Sequence, residues 1–495
     1  MKKLIQGGRL LDIAGHAAPP ADILIDGDVI VEIGAPGMAA PDAEIIDATD
    51  RLVMPGLVNS HGHGHGSLAK ATGDRWTLEL MLNAAPWSNG RRSVADRRLS
   101  ATLNAVELVR KGCTATVDLQ VEYPAPSREG LEEIGAAYVE VGLRAVIAPM
   151  FADRTLYEAI PGLNDALTGD LRGFADSLRL APHDISLAAI EDTLKHWPHD
   201  RDKAGLAIAP TIPHHCSEAL LTGARDLARD YDVGFHTHLC ESKIQAMVCR
   251  KLYGMSQTAY LDTLGILGPG FVAAHAIWVD DDDISRLADA GASVAHNAGS
   301  NMRLGNGMAA ARRMLDRGLN VGIGTDACTC ADNLNLFEAM RLASFVSRVQ
   351  DVDCSHWLAA DEILTMATKG GARLLGRGDS IGELRAGAKA DMVFLDLGSI
   401  NYVPFNIPTV QVVNAEDGTG VDSVMIGGRL VLDHGKITTL DEKKLFADVQ
   451  RAVERLLGPA AEETHELVLR MEQIVGPFCL DMLRQDYHVQ RHLAG

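Results

Sequence analysis

A single stretch sets the terms for the whole chain: Val58-Asn59-Ser60-His61-Gly62-His63-Gly64-His65, entered through Met54-Pro55-Gly56-Leu57. So short an apolar run reads as a strand, and the two-residue period of an extended backbone puts His61 and His63 on one side of it. Two imidazoles facing the same way suit a divalent cation, but two ligands alone do not make a site. Further ligands have to come from distant segments that the fold carries to the end of this strand.

Downstream, apolar runs alternate with stretches of helical periodicity, the pattern of repeated βα units around a parallel sheet. Strand candidates fall at 53–60, 114–118, 144–150, 205–211, 233–239, 271–275, 292–297 and 320–325, with helical patterns at 95–111, 217–230 and 332–348. Eight such units fit a (β/α)8 TIM barrel, although a doubly wound open sheet gives the same local pattern. Polar positions separate the two, because a barrel gathers reactive groups from the C-terminal ends of several strands at one mouth. The first candidate ends at His61 and His63, the fifth at Phe235-His236-Thr237-His238-Leu239-Cys240-Glu241, and the sixth at His275. The seventh ends at His296-Asn297 and the eighth at Gly324-Thr325-Asp326. Five strand ends with metal-competent or titratable side chains favour the barrel and a metal-dependent catalytic site.

Short strands broken by Gly and Asp occupy 4–10, 22–33 and 43–48, and a similar set returns at 390–396 and 424–432. Neither set can bury a core alone, so both chain ends are expected to build one small β-sandwich domain. The expected division is 1–54 and 379–440 for that domain, 55–378 for the barrel, and 441–495 for a helical extension. Phe446, Val449, Val453 and Leu456-Leu457 recur at helical spacing in this extension, which should pack on the barrel or on another subunit.

The formal net charge of −20, spread along the chain, disfavours nucleic-acid polymers and anionic membranes as partners. Neither a signal peptide nor a membrane span is apparent, and eight irregularly spaced cysteines suit reduced thiols, so the expected location is cytoplasmic. Cys328-Thr329-Cys330 is too tight for the usual paired zinc spacing.

Taken together, Pro55-Gly56-Leu57-Val58-Asn59-Ser60-His61-Gly62-His63, His238-Leu239-Cys240-Glu241, His275, Ser300-Asn301-Met302-Arg303-Leu304-Gly305-Asn306-Gly307 and Gly324-Thr325-Asp326 resemble the amidohydrolase superfamily. The branch in question holds cytosine, guanine and adenosine-type deaminases with the triazine hydrolases. The segment Ile381–Asp391 looks like the family's return into the small β-domain. The resemblance implies one divalent ion, Zn2+ or alternatively Fe2+, on His61, His63, His238 and Asp326. It also implies catalytic roles for Glu241, His275 and Asp326: Glu241 protonates a ring or amide nitrogen, Asp326 takes the proton from the nucleophilic water, and His275 orients the hydroxide or stabilises the oxyanion. Between His236 and His238, the family's spacing to the acidic residue selects His238 as the ligand.

The implied reaction is hydrolytic deamination of a small nitrogen heterocycle. Alternatives are a chlorohydrolase, an N-alkylamine-releasing or cyclic-amide hydrolase of the same fold, and, from another class, a non-catalytic barrel scaffold. Substrate-binding candidates are Trp76 and Trp87 on the excursion after the first strand, Thr211, His214, His215, His236 and Asn297, with Asp153, Arg154 and Tyr157 on a second insertion over 151–185. At Thr211 the chain departs from nucleoside-acting members, which carry a histidine directly after the proline; His214 or His215 would have to take its place. His65 is expected at the rim. A homo-oligomer, dimer or tetramer, completes the expectation.

Overall fold

The computed structural model describes residues 1–492. Eight parallel strands follow one another around a barrel in sequence order: Leu57–Asn59, Cys113–Val121, Arg144–Phe151, Ala204–Pro210, Gly234–Leu239, Phe271–His275, Ser293–His296 and Asn320–Ile323. The first and last meet through backbone bonds at the mouth, where Ser60 N–H donates to Ile323 O (2.9 Å) and Asp326 N–H donates to His61 O (3.0 Å). Val117, Leu119, Val146, Ala148, Met150, Ala207, Val272 and Ala295 form a buried cluster inside the ring of strands. The barrel is therefore a packed core with a polar mouth.

One expected element divides in two. The apolar run 53–60 becomes Arg51–Pro55, paired antiparallel with Met392–Asp396, and Leu57–Asn59 in the barrel. Gly56 is the pivot: a Cβ there would lie 2.1 Å from Thr114 Oγ1, so only glycine lets the chain pass from one sheet to the other at this approach. Continuous hydrophobicity hid the break because both halves are buried.

Strands from both chain ends join in one nine-stranded mixed sheet. It curls over Ile5, Ile23, Ile25, Ile30, Val53, Met392, Phe394 and Met425, which face one another as the two layers of a sandwich would. Asp26-Gly27-Asp28 joins Pro20–Asp26 to Val29–Gly34, with Gly27 at φ +63°. Arg144, at the start of the third barrel strand, donates to both carboxylate oxygens of buried Asp391 at 2.8 and 3.2 Å and so ties barrel to sheet.

Three insertions rise around the mouth. Helix Leu78–Asn89 begins at Thr77, whose hydroxyl accepts the Leu80 N–H. The stretch after the third strand forms the short helices Leu156–Ala159, Leu163–Ala166 and Gly169–Ser177. The tail forms Glu442–Leu456 and Pro459–Leu483, while positions 493–495 of the expected extension lie outside the described residues. Leu80, Leu82, Leu156, Leu163, Phe174, Met471 and Val475 bind these pieces into a hydrophobic cluster separate from the main core.

Candidate active site

The first-strand histidines and His238 from the fifth strand converge so that their ligating atoms, together, lie within 4.8 Å of one another; the same holds for His61, His275 and Asp326. His63 Nδ1 bonds to Leu119 O (3.0 Å) and His238 Nδ1 to Thr211 O (2.6 Å). A carbonyl can only accept, so both rings carry their proton on Nδ1 and turn a bare Nε2 inward. Those two Nε2 atoms are 3.2 Å apart. Two lone pairs at that distance repel unless a cation lies between them. His61 Nε2 is buried without a hydrogen-bond partner, and Asp326 Oδ1 stands 3.7 Å from it and 3.4 Å from His63 Nε2. Three neutral nitrogens and a carboxylate fit a divalent ion such as zinc.

Electrostatics favour this assignment. Burial, and then the neighbouring His63 and His238, push His61 well below the ordinary imidazole range, and burial does the same to His238. Both stay neutral, as ligands must be. Burial pushes the Asp326 carboxyl up, but His275, His63 and Ser300 outweigh it and leave Asp326 below its usual value, in its charged form.

The local backbone is bent to make this possible. His275 and Asp326 have φ of +68° and +63°, in the left-handed region that side chains with a Cβ disfavour by about 1–2 kcal/mol. Gly324 allows the last turn, since a Cβ there would meet Asn297 Oδ1 at 2.3 Å and His61 Cβ at 2.9 Å.

His275 Nε2 lies 3.7 Å from Glu241 Oε2 and 3.6 Å from Asp326 Oδ2, between the two carboxyls. Burial above all, then the charges of Asp326 and Glu79, lifts Glu241 well above the usual carboxyl range. Burial of this kind favours the protonated form of the carboxyl.

Several supporting residues carried no assignment in the sequence reading. Asn301 Oδ1 accepts from His275 Nδ1 (2.8 Å), and Asn306 Nδ2 donates to Glu241 Oε1 (3.0 Å). Asp118 Oδ1 accepts the Gly64 N–H at 2.6 Å, directly after His63, and Glu79 accepts from Ser242 Oγ at 2.7 Å. The two asparagines lie in the motif segment 300–307, so their presence was visible and only their partners were not. Asp118 and Glu79 gave no signal apart from being charged residues in apolar surroundings.

A cavity of about 700 Å3 opens above the cluster, with His63, His238, Glu241, His275 and Asp326 on its floor. Trp76, Thr211, His215, His65, Arg154 and Tyr157 reach its wall. The remaining candidates fall elsewhere. Trp87 stacks on His465 of the long tail helix, with ring centroids 4.1 Å apart, because helix Leu78–Asn89 packs against that helix. His214 is buried edge-on against His215. His236 is also buried, with Nε2 folded back towards Gly234 at the start of its strand. Asn297 lies behind His275, its Nδ2 3.4 Å from that ring. Asp153 is occupied by the Ser217 N–H (2.7 Å).

A cation-binding cluster facing a buried acid at the open end of a barrel places the protein in the class of metal-dependent hydrolases. More particularly, the chain belongs to the amidohydrolase family, which matches residues 52–431. It is 32% identical over 460 residues to a 5'-deoxyadenosine deaminase of Methanothermobacter thermautotrophicus, covering 92% of this chain and 99% of that one. A 5-methylthioadenosine/S-adenosylhomocysteine deaminase of Pyrococcus furiosus is 29% identical, with 88% and 96% covered. Among solved structures, an adenosine deaminase from Xanthomonas campestris with bound zinc superposes with a TM-score of 0.81 at 26% identity, covering 92% and 98%. An atrazine chlorohydrolase from Arthrobacter aurescens with zinc gives 0.80 at 27% identity, covering 91% and 99%.

Proposed function

We propose that this hydrolase, which acts on carbon–nitrogen bonds other than peptide bonds, deaminates a small nitrogen heterocycle, exchanging an exocyclic amino group for oxygen and releasing ammonia. One observation carries the reading: Glu241 and Asp326, whose carboxyls are pushed in opposite directions, the first above and the second below the usual range, face His275 from either side at 3.7 and 3.6 Å. Groups whose proton affinities are pushed apart divide the acid and base work between them.

His61, His63, His238 and Asp326 would hold a zinc ion, which when bound lowers the pKa of a coordinated water and so supplies a hydroxide nucleophile near neutral pH. Asp326 takes the proton released as the nucleophile forms. Glu241 gives its proton to the ring nitrogen next to the carbon under attack, which makes that carbon more electrophilic. His275, fixed by Asn301, points Nε2 at the space between the carboxyls and orients the attacking oxygen. The amino group leaves as ammonia after taking up the proton held by Asp326, and as the C–N bond breaks and the C=O bond forms the remaining proton of the attacking oxygen passes to Glu241 and resets the acid.

The wall supports a substrate larger than a bare ring. Thr211 and His215 offer polar contacts there, and Trp76, Met81 and Leu82 offer apolar ones. Burial pushes the His215 imidazole down to about 4, so it meets the substrate uncharged. The named activities of the deaminase relatives agree with an amino leaving group, while the triazine neighbours keep chloride as the second reading.

A cytoplasmic location belongs to the same reading; no helix of the described residues is long and apolar enough to cross a membrane. Assembly into two or four copies is supported by exposed Phe345, Val349, Val352, Ile400, Val403, Ile407 and Val410. They lie on or next to two helices, Leu336–Gln350 and Pro408–Asn414, that pack on each other.

The test is ammonia release by zinc-loaded protein from a panel of adenosine, 5'-deoxyadenosine, cytosine, guanine, melamine and a chloro-s-triazine. Ammonia from an aminoheterocycle supports the reading. Chloride released from the triazine, with no ammonia from any member, replaces it with the chlorohydrolase reading.

A further inference from the structure

Residues 483–492 pass behind the catalytic acid, and no step above uses them. Arg491 donates from Nε to Ile277 O (2.7 Å) and from Nη2 to Val279 O (2.6 Å), while its own carbonyl accepts the Met308 N–H (2.9 Å). It therefore clamps two stretches, 277–279 and 306–308. Between them lies Trp278, fully buried, whose indole N–H donates to Asn306 O at 2.7 Å. Asn306 in turn holds Glu241 through its side-chain amide (3.0 Å).

The same segment grips the other side of the acid. Trp278 N–H donates to Cys240 O (2.9 Å), next to Glu241, and Lys243 Nζ, two residues beyond, donates to the carbonyls of Leu483 and Gln485. The rings of Tyr487 and His492 meet Trp278 edge-on at 6.2 and 5.3 Å. The 304–308 loop is held on its other side by Asn306 N–H to Asn301 O (2.8 Å) and Gln350 Nε2 to Met308 O (3.1 Å), and the Arg491 segment closes the side towards Glu241. The loop lies between helices Ala298–Arg303 and Ala311–Asp316 and contains Gly305 and Gly307, both at positive φ. Gly307 sits directly against Arg491, where an added Cβ would be 3.0 Å from Arg491 Cβ.

We propose that Arg491 is a positioning residue for Glu241: by clamping 277–279 and 306–308 it fixes Trp278 and Asn306, which aim the acid's carboxyl at the substrate. This rests on the reading of Glu241 as the acid. The side chain of Arg491 bonds the carbonyls of Ile277 and Val279, while its main-chain bond to Met308 survives substitution, so loss of the side chain should loosen the aim without unfolding the barrel.

Zinc-loaded Arg491→Ala and Arg491→Lys, alone and combined with Glu241→Gln, test this with the best aminoheterocycle of the panel. Bound zinc and melting temperature should stay near wild type. Arg491→Ala should lower kcat about tenfold or more with little change in KM, as misaiming of a reacting group does. Arg491→Lys, which can still reach one carbonyl, should recover part of that loss. On the Glu241→Gln background Arg491→Ala should cost nothing further, since there is no acid left to aim. In protein labelled with 5-fluorotryptophan, the Trp278 resonance, assigned through Trp278→Phe, should move in Arg491→Ala. Unchanged kcat in Arg491→Ala beside a crippled Glu241→Gln overturns the positioning role alone, as does an equal loss on both backgrounds. Full turnover in Glu241→Gln overturns the acid reading and this inference with it.

Discussion

Two parts of one cavity, its floor and its wall, are built from different materials. Strand ends supply the floor: His63 and His238 are each locked to a backbone carbonyl, and His275 and Asp326 are held in strained left-handed conformations. Beyond His65, Thr211 and His215 from strand-end loops, the wall comes from insertions at 76–90 and 151–180, packed on the tail helix Pro459–Leu483 through a separate hydrophobic cluster. A rigid floor fixes reacting groups, whereas a wall with its own small core can change residue by residue without disturbing them. Chemistry and selectivity should therefore respond separately to mutation.

The largest effect should come from the floor itself. His238→Ala leaves only His61, His63 and Asp326 of the proposed set, so bound zinc measured by elemental analysis should fall to background. Turnover should drop by several kcal/mol of barrier, about a thousandfold or more. Near-stoichiometric zinc in that variant would show that His61, His63 and Asp326 suffice, and the four-ligand site would be wrong.

Next comes the acid. Glu241→Gln should retain zinc while losing about 10^2–10^4 in kcat. Its raised pKa gives the pH dependence a sign: the acid form persists above the usual carboxyl range, and turnover falls on the alkaline side as that proton leaves. The residual activity of Glu241→Gln should lack this alkaline limb. A limb that survives belongs to another group.

Support beneath the floor should matter less. Asp118→Ala frees the Gly64 N–H that orders the backbone after His63, and metal affinity measured against a competing chelator should weaken by about 10–100-fold. An unchanged affinity would mean that the His63 bond to Leu119 O alone sets the ligand's aim.

The same division explains what could be read from the chain. His61, His63, His238, His275 and Asp326 sit where strand pattern and motif spacing coincide, so their convergence on one mouth could be read in one dimension. Asn301 and Asn306 lay in a recognisable segment, but which side chain each one holds depends on how the loop folds back. His236 and His238 alternate correctly for the same face, and only the family's spacing selected the ligand; in the fold His236 turns towards the start of its strand. The barrel was legible for a similar reason, since each strand carries its own local signal. The break at Gly56 was not, because it is set by contact with Thr114, far along the sequence.

The wall gives the smallest effect and the sharpest contrast, since its two tryptophans were equal on paper. Trp76 reaches the cavity beside Met81 and Leu82, whereas Trp87, eleven residues on, stacks against His465. Trp76→Ala removes an aromatic contact worth about 0.5–1.5 kcal/mol, so KM should rise up to about tenfold with kcat within about twofold. Trp87→Ala should leave KM alone and instead lower the melting temperature, as the tail helix loses its stacking partner. If Trp87→Ala raised KM as much as Trp76→Ala, the tail helix would be transmitting its packing to the substrate. Floor and wall would then be one cooperative unit, and selectivity could not be altered without altering stability.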